Sequence, residues 1–239
     1  MRGRGATALA VRMLVLLPLV ALADPAAADE RTVMVGGFDR VRVEGPYTVS
    51  VTTGGSPRAR IEGDGGAIDG VSLRSESGTL VISTGVNGWG ERPRGGGATP
   101  TIMVSTGRLR AASVRGGGTL SVDRMTAQRV DLSVSGTGSL RVGAVDAQRI
   151  DATLYGTGGI TLGGRALDAR FTANGPGTID AAALDATTLL VTAQGLGNGA
   201  FAARATAAVN ASGNGAITVT GTPTCTVRGN APVTCGPAR

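Results

Sequence analysis

Apolar residues along this chain recur on two scales. Locally they stand two apart with a polar residue or glycine between them, as in Leu120/Val122, Leu140/Val142 and Ile160/Leu162. Such alternation predicts short strands with one face buried. On the longer scale the same pattern returns around a Gly-x-Gly pair, at Gly116/Gly118, Gly136/Gly138, Gly156/Gly158, Gly175/Gly177, Gly195/Gly197 and Gly213/Gly215. The first glycines of these pairs are 20, 20, 19, 20 and 18 residues apart. Val114, Val134, Leu154, Ala173, Ala193 and Ala211 lie two residues before each pair. Leu120, Leu140, Ile160, Ile179 and Ile217 lie two after it, and Phe201 takes that place if one residue is inserted near Gly199. Val122, Val142, Leu162, Ala181, Ala203 and Val219 follow two further on.

A constant period of this length marks a solenoid, in which no unit can bury its apolar side alone. At ~3.3 Å per strand residue one unit is on the order of 66 Å of chain, enough for a coil of two or three short strands with corners. Stacked coils pair each strand with its equivalent roughly 4.8 Å away, so like residues form columns. The glycines are expected at a corner that needs φ > 0 or close backbone approach. A leucine-rich repeat would need L-x-x-L-x-L-x-x-N spacing, which is absent. Asp180 to Gln194 is rich in good helix formers, but it falls in phase with the repeat and is therefore assigned to a coil. Inner positions there are mostly alanine (Ala181, Ala193, Ala203), so these coils bury less apolar surface, and Leu184 to Ala208 is expected to be the weakest part of the stack.

Before the repeat the spacing changes. Residues 1–28 read as an export signal: Arg2, Arg4 and Arg12 precede the short apolar run Met13 to Ala23, and Ala26-Ala27-Ala28 supplies a small-residue cleavage pattern. That run is too short to span a bilayer, so no membrane-spanning segment is expected after cleavage, and the chain is placed in the periplasm or at the cell surface. Residues 29–84 form a β segment of alternating strands (Val41/Val43, Tyr47/Val49/Val51, Ala59/Ile61, Val71/Leu73, Leu80/Ile82) with turn signals at Gly54-Gly55, Gly65-Gly66 and Ser77-Gly78. Residues 85–100, with Gly, Pro, Arg and the single Trp89, read as a mobile loop. Residues 101–239 form the solenoid and its C-terminal cap, entered through Ile102/Val104 and Gly107-Arg108-Leu109.

The residues Phe38-Asp39-Arg40-Val41-Arg42-Val43-Glu44-Gly45, followed by Tyr47-Thr48-Val49-Ser50-Val51, resemble the opening of the bacterial head GIN domain family, whose name refers to auto-transporter adhesins. Thr101-Ile102-Met103-Val104-Ser105-Thr106, Leu109 and the turn Ser135-Gly136-Thr137-Gly138 resemble its middle. The resemblance runs from Phe38 to Val219. It implies an all-β, exported right-handed parallel β-helix, or β-solenoid, with a β-rich N-terminal part, and it brings no catalytic residues. The loop after Thr84 and the C-terminal cysteines are additions to the family pattern.

Composition sharpens this in three ways. Gly numbers 40 of 239 residues and aromatics are 3%, yet the glycines are periodic, so they mark order and not low complexity. Net charge is +6, carried by arginine with no lysine, and losing three arginines and Asp24 with the signal leaves +4. Scarce aromatics and export argue against nucleic acid as a partner; anionic glycans or membrane surfaces suit the basic balance better. Cys225 and Cys235 meet an oxidising compartment and are expected to form a disulfide tying down the last coil. With no histidine in the chain, Ser-His-Asp and Cys-His catalysis and H-E-x-x-H zinc sites are excluded. The calcium nonapeptide repeat lacks its Asp, and Gly116-Gly117-Gly118 is not followed by the Lys-Ser/Thr of a phosphate loop. No metal or cofactor is expected.

One acidic pair remains. Asp131 and Asp151 occupy equivalent positions on successive coils, near the separation of a retaining glycosidase pair. That makes a polysaccharide-processing enzyme the alternative reading. The favoured one is that Arg129, Arg149 and Arg170 neutralise a solvated ladder, on an exported non-enzymatic envelope protein that acts as an adhesion or scaffold module towards glycans or proteins. Tyr155 and Trp89 are the candidate contact aromatics. Trp89 reads equally as a cap on the open end of the stack. Nothing in the sequence assigns an oligomeric state.

Overall fold

The computed structural model describes residues 29–85 and 99–236. The elements in chain order are β1 (Asp29–Val33), β2 (Arg40–Glu44), β3 (Thr48–Thr53), β4 (Arg58–Gly63), α1 (Gly65–Asp69), β5 (Val71–Glu76), β6 (Thr79–Thr84), β7 (Thr101–Thr106), β8 (Ala111–Gly116), β9 (Thr119–Gly136), β10 (Ser139–Gly156), β11 (Gly159–Asn174), β12 (Thr178–Gly195), β13 (Gly199–Gly213), β14 (Ile217–Gly221), β15 (Thr224–Gly229) and β16 (Val233–Cys235). From β8 onward every pairing is parallel, each strand matching its equivalent one coil later. This is a β-solenoid. The helix former run from Asp180 lies in β12, as the repeat phase requires.

Each long strand wraps around one coil. In β9 the buried residues are Leu120, Val122, Met125, Val130, Leu132 and Val134. Alternation slips by one residue between Val122 and Met125 and again before Val130, and each slip is a corner. A coil therefore has a first side (119–122 in β9), a second (124–127) and a third (129–135), closed by the glycine turn. The glycine pair serves two needs. The first glycine has positive φ in every coil, from Gly116 at 93° to Gly195 at 120°. The second is a matter of space: a Cβ on Gly138 would lie 2.5 Å from the Gly118 carbonyl oxygen and 2.7 Å from Val114 Cγ1. The turns also bond to one another, the Gly116 carbonyl accepting from Thr137 N–H at 3.1 Å and Gly138 N–H at 2.7 Å.

The N-terminal strands belong to the same stack but enter it out of order. β2 lies between β6 and β8, and β3 lies between β7 and β9, all parallel. The chain thus builds the second layer first, leaves it at Gly54, makes the first layer with β6 and β7, and crosses through residues 107–110 to the third. β4 is antiparallel to β7, β1 to β4 and β5 to β6, and these strands extend that end of the stack. The chain runs from Ile102/Val104 through residues 107–110 into the repeat, while in space β3 stands between β7 and β9. Thr106, buried at this junction, donates its hydroxyl to the Phe38 carbonyl at 2.6 Å.

The alanine-rich coils are filled from their neighbours. Phe171 stands next to Ala152 and Phe201 next to Ala181 in their columns, and their rings meet with centroids 4.8 Å apart at 51°. Register corrects two sequence assignments, those of Phe201 and of Ala203, which pairs with Ala186 and not with Ala181. Gly199, not Phe201, continues the column of Ile179, and Phe201 aligns with Ala181 and Val219. A Cβ on Gly199 would overlap the Phe201 ring, so the missing side chain is the room the ring uses. In Leu184 to Ala208 the inward residues Leu184, Ala186, Leu189, Phe201, Ala203 and Ala207 are all buried; hydrogen exchange, faster here than in the earlier coils if these are the weakest, tests that expectation.

Cys225 and Cys235 are bonded, with Cα atoms 6.6 Å apart. Cys225 continues the column of Ala207 and Cys235 that of Val219, both inward. The bond therefore joins the third and first sides of the last coil across the core. Reduction is expected to cost roughly 2–3 kcal/mol. In a nearly one-dimensional stack that loss should stay local, so hydrogen exchange of the reduced protein should quicken in residues 217–236 and leave residues 119–156 unchanged.

Candidate functional site

Asp131 and Asp151 are register partners, as their spacing predicts. A guanidinium sits across them. Arg129 Nε donates to Asp131 Oδ1 at 2.8 Å, and its Nη2 lies 3.1 Å from Asp151 Oδ2. The hydrogen bond to Asp131, then the charges of Asp131 and Asp151, hold Arg129 more firmly protonated than usual. Retaining hydrolysis needs one carboxylate free to attack the sugar and one carboxylic acid facing the leaving oxygen. Arg129 occupies that ground between the two. The other two arginines act differently from expectation. Arg149 pairs with Asp168 at 3.7 Å, and Arg170 follows Asp151 in register with no carboxylate partner among the described residues.

The third side carries a second pattern outward. Ser113, Ser133, Thr153, Thr172, Thr192 and Asn210 form one column along the stack. The next column outward runs Arg115, Ser135, Tyr155, Asn174, Gln194 and Ser212. Tyr155 is 50% exposed, an aromatic ring among hydroxyls and amides. Trp89 lies outside the described residues, as do residues 1–28, assigned above to the export signal, and most of the loop assigned to 85–100.

The second side holds a charge column that sequence reasoning missed. Asp146 and Arg165 are paired at 2.7 Å, Asp185 and Arg204 at 2.8 Å, and Arg165 and Asp185 are register partners. The hydrogen bond from Arg165 holds the Asp146 carboxyl below its usual range against the opposing effect of burial, with the Arg165 and Arg124 charges helping. The signal was available: 146, 165, 185 and 204 are spaced by 19, 20 and 19, the coil period. These pairs are exposed and contribute little stability. Beside them Ala127, Ala147 and Ala166 floor a shallow trough of ≈ 360 Å³ edged by Gln128, Gln148 and the exposed Leu167. Among the described residues no helix is long and apolar enough to cross a membrane.

The model of the family described as "Putative auto-transporter adhesin, head GIN domain" matches residues 37–223. The chain belongs to the head GIN domain family. Solved structures share the fold of this head GIN protein at low identity. A structure titled as a putative adhesin from Bacteroides fragilis is 20% identical with a TM-score of 0.74, covering 90% of this chain and 98% of its own. One titled as a putative lipid binding protein from Parabacteroides distasonis is 15% identical with a TM-score of 0.70, again covering 90% and 98%. A putative adhesin from Parabacteroides merdae is 14% identical with a TM-score of 0.68, covering 90% and 97%. No curated protein matches the sequence.

Proposed function

We propose that this head GIN protein is an exported, non-enzymatic binding module of the cell envelope, an adhesin or scaffold that holds glycan or protein partners on the outward columns of its third side. The observation that carries the reading is the unbroken column from Ser113 to Asn210 beside the exposed Tyr155. A row of hydroxyls at constant pitch offers the same hydrogen bonds at each coil, and an aromatic face supplies a stacking surface. Such a row suits an extended partner lying along the axis. The adhesin names of the family and its solved relatives support the reading, and the basic start, short apolar run and small-residue pattern of residues 1–28 support export.

The test is binding of the purified protein to an array of envelope glycans and to envelope extract. Retention that falls about tenfold in Tyr155→Ala, in line with the loss of one stacking contact, is the expected result. A reducing-sugar assay on the same glycans should stay flat. Hydrolysis that disappears in both Asp131→Ala and Asp151→Ala would replace this reading with the polysaccharide-processing one.

A further inference from the structure

The out-of-order threading has a consequence on the second side of the solenoid. The layer formed by β2 and β3 has a third side and a first side, but its chain departs at Gly54, so it contributes no second side. Among the described residues, 124–127 and 129–130 of β9 have register partners on β10 alone, while 119–122 and 131–136 are also paired on the other flank. A strand is missing there, and two side chains patch the edge. Asp123 accepts the Thr53 N–H at 3.0 and 3.2 Å, in place of a backbone carbonyl, and Thr53 Oγ1 donates to the Arg124 carbonyl at 3.2 Å.

The gap is an open depression of ≈ 380 Å³ lined by Thr53, Gly54, Gly107, Asp123, Thr126 and two arginines, Arg108 and Arg124. Its one carboxylate, Asp123, is engaged by Thr53 and by its own neighbour's N–H at 2.6 Å. Neither Arg108 nor Arg124 is ion-paired among the described residues, whereas Arg165 and Arg204 on the same side are. Thr126 also lines the alanine-floored trough of ≈ 360 Å³, so the two depressions adjoin there. The trough offers amides at Gln128 and Gln148 and a flat floor.

We propose that this layer gap is an anion-binding subsite for an acidic linear glycan: Arg108 and Arg124 take a carboxylate or sulfate of the ligand, and the rest of the chain runs along the trough over Ala127, Ala147 and Ala166. Guanidinium groups bind such oxyanions through two parallel N–H donors. A shallow trough of uniform pitch suits a chain of like sugar units better than a peptide, whose successive side chains point to opposite faces. The site lies on a different side from Tyr155. It extends the binding-module reading and can fail without it.

Calorimetric titration with an oligogalacturonate, its fully methyl-esterified form and a sulfated oligosaccharide tests the assignment. An acidic oligosaccharide should bind, the neutral ester should bind at least tenfold more weakly, and affinity should fall as salt is raised. Arg108→Ser/Arg124→Ser should weaken acid binding at least tenfold, and Arg108→Lys/Arg124→Lys should recover part of it. Both arginines are exposed, so circular dichroism of the variants should be unchanged. Acid binding that survives the serine pair but is lost in Tyr155→Ala would overturn the gap assignment and keep the third-side reading. Response to inorganic sulfate alone, with no gain from the attached chain, would overturn the glycan assignment. Failure of every acidic glycan to bind would overturn the gap assignment and leave the third-side reading to the envelope-extract test.

Discussion

Gly138→Ala is expected to destabilise the protein by about 3–4 kcal/mol, at the upper end for a single added methyl in a packed site. The new Cβ would lie 2.5 Å from the Gly118 oxygen, 2.7 Å from Val114 Cγ1 and 3.0 Å from the Gly116 oxygen. Two of these are backbone carbonyls of the preceding coil and cannot rotate away. Relief would have to come from separating the coils, which lengthens the 2.7 Å bond from Gly138 N–H to the Gly116 carbonyl. For a chain of this size the fall in Tm should be on the order of 10 °C. Gly66→Ala is the matched control, since a Cβ there meets nothing within 4 Å, and it should cause no loss. Thermal unfolding of the two variants checks the contrast; equal Tm values would mean that the coils do not approach as closely as described.

Phe201→Ala should cost about 3–5 kcal/mol, the range for removing a buried aromatic side chain. The ring is 2% exposed, packs on Phe171 and fills the slot left by Gly199. No single neighbour can collapse into that volume, because Ala181 and Gly199 beside it are already small. Urea unfolding measures the loss. Hydrogen exchange should place it mainly from β12 onward, since coils interact chiefly with their neighbours. A cost below about 1 kcal/mol would show that the alanine-rich coils close up around the vacancy.

The coil period, the glycine turns and the inward columns were legible because each residue type returns where its neighbour one coil earlier needs it. The pairing of Cys225 with Cys235 was legible on other grounds, export and closeness in the chain, and the structure adds that both fall in inward columns, those of Ala207 and Val219. The layer exchange was not. β2/β3 and β6/β7 have the same alternation, and pairing between strands far apart in the chain leaves no local mark. The layer gap, and with it the setting of Arg108 and Arg124, follows from that exchange and was hidden with it. Phe201 was misplaced because an insertion near Gly199 was allowed so that an apolar residue would fill the column; plain counting from Gly197 reaches Gly199, which is where the register puts the match. The column Asp146, Arg165, Asp185, Arg204 escaped notice because a repeat shows itself through like residues one coil apart, and here the sign of the charge alternates from coil to coil. Asp131 and Asp151 were correctly brought together, but Arg129 was read as a neutraliser of solvent-facing charge, not as the group lying between them.

Distances between spin labels test most directly whether one column of side chains climbs the axis at constant pitch. Ser113, Thr192, Asn210 and Arg228 lie on a single outward column, with Thr192, Asn210 and Arg228 at successive layers. Cysteine introduced at Ser113 together with each of the other three, and labelled under non-reducing conditions, should give narrow distributions near ~19, ~24 and ~29 Å, a rise of about 4.8 Å per layer. Distances that do not increase by one constant step, or broad distributions extending well beyond these values, would contradict the stacked columns on which the fold and both binding proposals rest.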